Sequence, residues 1–377
     1  MADRPDENPV PAPDENPAAA VDPAESISPR GGAGAAGGTL PSWFLRAVAG
    51  GSALVALAIL LATGSFSIVL LFVITAVLAL PTAYIWSRIA EGRRQALDRL
   101  VTLGIATGFG IAVLPLFSLL YTVVDRGTAS FTGSFFTESA RGVIGPGGGA
   151  EHAIIGTLVI TGVATLISVP IGIMAAVYLN EYGSGRLRRA LTFFVDVMTG
   201  IPSIVAGLFA YALFAAFLGP GIRLGIIGSV ALSVLMIPIV IRSAEEILKI
   251  VPDHLREAAY ALGTPKWKVV TRIVLPTALA GLVTGVMLAV ARVIGETAPL
   301  LVTTGVIDSV NSNPLSGRMQ NLAVFAYNEY KNPGVDVQAS YDKAWAAALT
   351  LILIVMILSL LARWIYRRFG TDLRDTR

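Results

Sequence analysis

Two charged residues stand in an otherwise apolar run, Ala291-Arg292-Val293-Ile294-Gly295-Glu296-Thr297-Ala298-Pro299. Arg292 and Glu296 are four apart, a spacing that predicts one shared helical face. A charge at membrane depth costs at least about 2.5–3.5 kcal/mol on insertion scales, so such groups face a bundle interior or a path rather than lipid. Two readings stand side by side. In one, Arg292 attracts an anion while Glu296 holds it in place and tunes its charge. A guanidinium stays protonated and grips phosphate-like oxygens with two parallel bonds. In the other, the two neutralise each other and brace helix packing. Back from Arg292, the small residues Ala289, Gly285 and Gly281 follow at helical spacing. They form a face that lets another helix approach closely.

The second constellation is Glu257-Ala258-Ala259-Tyr260-Ala261-Leu262-Gly263, followed nine residues later by Ile273-Val274-Leu275-Pro276. The pattern is EAA-x3-G-x9-I-x-L-P. It predicts a short amphipathic helix, a glycine turn of positive φ at Gly263, and a second short helix, Pro265 to Ile273, leading into an apolar run. Pro276 falls near the start of that run, where a missing N–H costs little. An amphipathic helix resting on a membrane surface is the plainer alternative, since several bases lie between Arg256 and Arg272.

Other chemistry is excluded by composition. There is no cysteine, and His152 and His254 are the two histidines. That removes disulfides, zinc clusters and thiol nucleophiles, and leaves no catalytic or metal set. No G-x-x-x-x-G-K-[ST] loop is present, and none of the five lysines follows a glycine. This chain therefore lacks that cradle for ATP.

The elements that must position these groups are membrane spans. Of the 377 residues, 54% are hydrophobic and 14% charged, with a mean hydropathy of +0.71. Soluble domains carry about 25% charged residues. Eight runs reach the roughly 20 residues that cross a bilayer: 44–63, 67–87, 100–123, 153–179, 193–218, 226–248, 277–303 and 346–366. They are too long for strands and lack a period of two. Pro170, Pro202 and Pro238 read as kinks inside them. With the N-terminus placed in the cytoplasm, 21 of the 28 lysines and arginines fall on the cytoplasmic side and six on the other, with Arg292 inside a span. This asymmetry predicts two cytoplasmic termini and excludes nucleic acid as the partner of the basic residues. Residues 1–42 hold eight prolines, seven acids and a glycine-alanine run, the composition of a disordered tail. Arg242 closes the sixth run and reads as a snorkelling anchor. Asp196 reads as an inner-end packing acid, and His152 as an exposed outer-loop residue.

Taken together, the EAA loop, the run ARVIGETAPLLVT (291–303), Tyr178-Leu179-Asn180-Glu181-Tyr182, Gly200-Ile201-Pro202-Ser203-Ile204-Val205-Ala206-Gly207 and Leu262-Gly263-Thr264-Pro265-Lys266-Trp267 resemble one family, the PstA-type permease subunits of phosphate ABC importers. The resemblance covers roughly residues 98–366. It implies an all-α polytopic membrane protein with the type I permease bundle of six core transmembrane helices, here preceded by two extra ones. It also implies a domain order: a tail at 1–42, an added hairpin at 43–87, the permease core at 98–366 with its coupling loop at 249–276, and a C-terminal tail at 367–377. Members of the family dock the EAA loop, here Glu257, Ala258, Ala259 and Gly263, into an ATPase. ATP and Mg are used by that partner, and no cofactor is bound by the permease.

The resemblance further implies a PstC-like second permease, two PstB-like ATPase subunits and an extracytoplasmic PstS-like phosphate-binding protein. It makes Arg242 a second basic residue near the inner gate, beside Arg292 and Glu296 on the anion path. Other readings are a permease for molybdate, sulfate or another oxyanion, a proton-coupled secondary transporter, and a membrane scaffold. The secondary transporter lacks matched broken helices in two halves. The scaffold leaves the buried charges unexplained.

Overall fold

The computed structural model describes residues 40–64, 67–143, 145 and 147–369. The expected N-terminal tail up to residue 39, Ser65 and Phe66 of the first turn, and residues 370–377 of the C-terminal tail lie outside the described residues. Among the described residues every regular element is a helix. Seven helices are long and apolar enough to cross a bilayer, and a bent pair counted as one span makes eight. The protein is an all-α polytopic membrane protein.

The chain divides into two compact units between Leu114 and Pro115. The first holds α1 (Phe44–Thr63), α2 (Ile68–Ala90) and the start of α3 (Arg93–Gly127). The buried residues of α1 are Ser52, Ala56 and Leu60, and those of α2 are Ala79, Ala83 and Ser87. Both sets step by four, so small side chains line one stripe of each helix. Lipid tails supply no hydrophobic force between helices, and close approach of such stripes replaces it. Glu91 ties the turn into α3. It accepts from Ser87 Oγ at 3.0 Å, from Arg99 Nη2 at 2.7 Å and from the N–H of Leu40. Arg99 also lies over the Phe44 ring.

The second unit begins with the end of α3 and contains α4 (Gly133–Thr137), α5 (Glu151–Val177), α6 (Gly185–Thr199), α7 (Ser203–Leu218), α8 (Gly225–Ile250), α9 (Asp253–Ala261), α10 (Lys266–Val269), α11 (Leu275–Val293), α12 (Ala298–Thr303), α13 (Leu322–Lys331) and α14 (Val337–Phe369). Its spine is α5 packed along α8. On α5 the buried stripe is Gly156, Ile160, Ala164, Ser168, Gly172 and Ala176, every fourth residue. Such i±4 rows are what interdigitate when two helices pack along their ridges. Facing it, Ser229 Oγ donates to Ile160 O at 3.1 Å and Ser233 Oγ to Ala164 O at 3.4 Å.

Two of the eight expected runs are broken rather than straight. The run 193–218 straddles α6 and α7, which meet at a 108° bend. Gly200 ends α6, and Pro202 takes an extended conformation ahead of α7. α6 is amphipathic, with its bases exposed, whereas α7 is uniformly apolar. The run 277–303 is split into α11 and α12. Hydropathy sums across such breaks because they are short and flanked by apolar residues, even with Glu296 in the second. Other helices outrun their apolar runs: α3 begins at Arg93 rather than 100, and α14 at Val337 rather than 346.

Two glycines of α5 make a matched test. A Cβ on Gly156 would lie 2.0 Å from the backbone oxygen of Gln320, whereas one on Gly162 meets nothing within 4 Å. Gly156→Ala is expected to destabilise the protein by about 1–3 kcal/mol, the usual cost of overpacking. Gly162→Ala is expected to be neutral or to stabilise by about 0.5–1 kcal/mol through helix propensity. Thermal unfolding in detergent of the two variants reads the contrast.

Candidate functional site

The EAA loop is built at the joined ends of α5 and α8. α5 ends in a π-turn, Tyr178–Tyr182, which carries Glu181. α8 ends at Ile250, and Pro252 starts α9. Arg256 on α9 reaches back to both. Its Nη2 lies 3.0 Å from Glu181 Oε1 and donates to Leu248 O at 3.1 Å, while Nη1 donates to Val251 O at 2.7 Å. The last carbonyls of a helix lack partners within it, and a cation satisfies both their bonding and the dipole. The pair is well shielded, with 12% of the Arg256 side chain and 5% of the Glu181 side chain exposed. Arg256 also meets Asp253 at 2.8 Å, but that carboxylate is 87% exposed and adds little.

Within the loop, Ala259 is buried in the core cluster formed with Leu248, Val251 and Val269. It seats α9 on the bundle. Glu257, Ala258, Tyr260, Leu262 and Gly263 are exposed beside it. Gly263 takes φ +74°, and the turn closes with Gly263 N donating to Tyr260 O at 2.9 Å and Thr264 N to Ala259 O at 3.1 Å. Leu262 is 86% exposed and Trp267 57%. The loop thus presents an apolar tip on a rigid base. The expected second short helix, Pro265 to Ile273, is instead α10 followed by a π-turn, Val270–Val274, that runs on into α11. A wide turn leaves room ahead of Pro276, which lacks an N–H and crowds the preceding carbonyls.

The intramembrane charges differ from expectation. α11 ends at Val293, and Glu296 sits in the break before α12. Arg292 and Glu296 therefore do not share a helical face. They form no ion pair with each other, and among the described residues neither side chain has a hydrogen-bond or ion-pair partner. Arg292 is exposed on this single chain and Glu296 is half-buried. The break is held from behind. Asn321 Nδ2 reaches Glu296 O at 3.5 Å, and the Asn321 Oδ1 caps α13 by accepting from Val324 N. Pro299 and Leu300 lie so close to α7 and α8 that a Cβ on Gly207 or Gly228 would collide with them.

The small face of α11 lies on α8. A Cβ on Gly281 would meet Ile247 at 2.5 Å and one on Gly285 would meet Ser243 at 2.8 Å, while Ala289 is fully buried beside Met236 and Val240. Arg242 is engaged rather than free. It bonds Asp196 on α6 and meets Glu245 at 3.0 Å, and Glu245 also meets Lys249 at 2.8 Å. The bonded Asp196 ties the bent α6 to α8. Beside this network opens a groove of about 820 Å³ lined by Arg188, Arg189, Asp196 and Glu245.

One expectation is overturned outright. His152 is not an exposed loop residue. It lies in the first turn of α5, 2% exposed, edge-on to Phe325. Its partner is 173 positions away in sequence (325 against 152), so no local signal marks it. The sequence reading also passed over Arg223 and Arg318 as sites, counting both only as outer-side bases. Arg223 Nη1 donates to Leu301 O at 3.0 Å.

The family model for the binding-protein-dependent transport system inner membrane component matches residues 168–375, which include both the loop and the break. The phosphate transport system permease protein PstA 1 of Mycobacterium tuberculosis (strain CDC 1551 / Oshkosh) is 46% identical over 276 residues, 72% of this chain and 90% of that protein. The PstA protein of Mycobacterium leprae is 48% identical over 266 residues, 70% of this chain and 86% of that one. A bacterial alginate ABC transporter, solved in complex with a pentasaccharide-bound periplasmic protein, has a chain that superposes with a TM-score of 0.54 at 14% identity, over 74% of this chain and 98% of that one. That last likeness shows the fold. The chain belongs to the family of binding-protein-dependent transport system inner membrane components, in its PstA branch.

Proposed function

We propose that this chain is the membrane-spanning permease subunit of an ATP-driven importer of inorganic phosphate, working in the cell membrane with both termini in the cytoplasm. The observation that carries the reading is the near-half identity to PstA permeases over almost their full length. The chain's partners are a second permease of PstC type, two PstB-like ATPase subunits and a PstS-like phosphate-binding protein on the outer side. ATP and Mg belong to the ATPase subunits.

The geometry supports a division of labour. The ATPase grips the exposed tip of α9 through Glu257, Ala258 and the Leu262–Gly263 turn. Movement of α9 is transmitted by Arg256, which holds Glu181 and the α8 carbonyls at once. The bundle then rocks as a body, because α5, α8 and α11 are packed too closely to slide. Arg292, with no counter-ion among the described residues, faces the second permease and lowers the barrier for an anion. Glu296 shapes the same passage from the break. Arg242 acts beside the inner opening through its network with Asp196 and Glu245.

Three experiments follow. Arg292→Gln is expected to lower phosphate uptake by cells at least about tenfold, since a charge-assisted contact contributes about 1.5–3 kcal/mol. Sulfate and molybdate serve as competitors, and unchanged uptake would remove Arg292 from the path. Glu257→Arg should lose co-purification of the ATPase with the permease intact. Arg256→Gln leaves Glu181 buried and unpaired, at about 3–5 kcal/mol. It is expected to lower thermal stability and to leave ATP hydrolysis no longer tied to uptake, measured together in proteoliposomes.

A further inference from the structure

The loop between α12 and α13 holds an arrangement that neither the coupling loop nor the helix break uses. Arg223, just ahead of α8, and Arg318, in the loop, bring their side chains to the same glycine. A Cβ placed on Gly305 would lie 2.9 Å from Cδ of Arg223 and 3.3 Å from Cδ of Arg318. The two Cδ atoms are therefore no further apart than those distances together. Gly305 is buried and takes φ +75°, so it supplies both the turn and the room for two stems.

One side chain and one stretch of backbone are held in place. Arg223 is fixed by its bond to Leu301 O. The backbone at Arg318 is fixed by Asn311, whose Nδ2 donates to Ser316 O at 2.6 Å and to Arg318 O at 2.9 Å. Met319 N donates to Thr304 O at 3.3 Å, closing the loop on α12. Among the described residues neither arginine forms an ion pair, and Asp308, the acid in this loop, pairs with neither. The loop thus gathers the stems of two cations that no acid among the described residues neutralises.

We propose that Arg223 and Arg318 form an oxyanion-binding site at the end of the bundle opposite the coupling loop. The 26 residues of α8 separate the two, with Arg223 just before its first residue and α9 just after its last. The ligand is a tetrahedral oxyanion of the phosphate class, bound through parallel N–H bonds from both guanidinium groups before it moves on to Arg292. Arg223 spends one N–H on Leu301 and keeps the rest of its fork free. The identity of the anion rests on the transport reading above, whereas the site rests on the convergence at Gly305.

The test is protection of arginine from a dicarbonyl reagent. The full transporter in membranes is treated with phenylglyoxal, and labelling at Arg223 and Arg318 is read by mass spectrometry. Phosphate is expected to slow labelling at both several-fold relative to chloride at equal ionic strength, with sulfate as a second arm. Labelling of Arg126, which stacks on Trp345 elsewhere, serves as the control. Arg318→Gln, at an exposed side chain without a protein partner, should abolish protection at Arg223. Arg223→Gln should abolish it at Arg318. Protection by phosphate no greater than by chloride would overturn the proposal. So would protection by the phosphate-binding protein emptied of phosphate, which would mark a protein-docking contact. Loss of protection with uptake intact removes this site alone. Protection by sulfate together with absent phosphate uptake keeps the site and removes the proposed cargo.

Discussion

The close contact of α5 with α8 is the constraint from which the rest of the second unit follows. In lipid there is no gain from hiding apolar groups against each other, so helices associate by packing and by hydrogen bonds between them. The every-fourth-residue stripe from Gly156 to Ala176 gives α8 a smooth face to lie on, and Ser229 and Ser233 bond across it. α8 then serves as a common wall. α11 rests on it through Gly281 and Gly285, and α12 through the gap left by Gly228. At the end next to α9, α5 and α8 finish side by side, which is what lets a single side chain, that of Arg256, hold the termini of both.

This arrangement sorts the charges by their neighbours. Arg256 and Glu181 are shielded and matched, so they are structural. Arg242 is matched and half-exposed, at the lip of a groove. Among the described residues Arg292, Arg223 and Arg318 form no ion pair. Unmatched cations in a membrane protein are costly. As proposed above, these three have a partner outside the chain, an anion or a second subunit.

The sequence disclosed the spans well because a bilayer demands a long apolar run whatever the fold. It disclosed the loop as well, since the turn at Gly263 needs a residue that tolerates positive φ, and the glycine stands where it must. It did not disclose the two broken helices. Pro202 reads as a kink inside its run, and the apolar residues on both sides of Glu296 make 277–303 read as one span. Whether a proline kinks a helix or ends it depends on what packs behind it, here Gly207 against Pro299. The shared face of Arg292 and Glu296 failed for the same reason, because a spacing of four means a face only while the helix continues. His152 and the pair at Gly305 depend on contacts between distant segments, which no local pattern records.

The two π-turns flanking the coupling loop, Tyr178–Tyr182 and Val270–Val274, have a rotational meaning. A wide turn accommodates one residue more than an ordinary one, and each helical residue turns the axis by about 100°. The bulge ahead of α11 therefore acts as a phase setting between the loop and the membrane helix. With ordinary winding there, the same sequence would swing Gly281 and Gly285 off α8 and carry Arg292 round with them. The angular position of the arginine is thus decided at the foot of the helix, beside the EAA loop, rather than at the arginine itself.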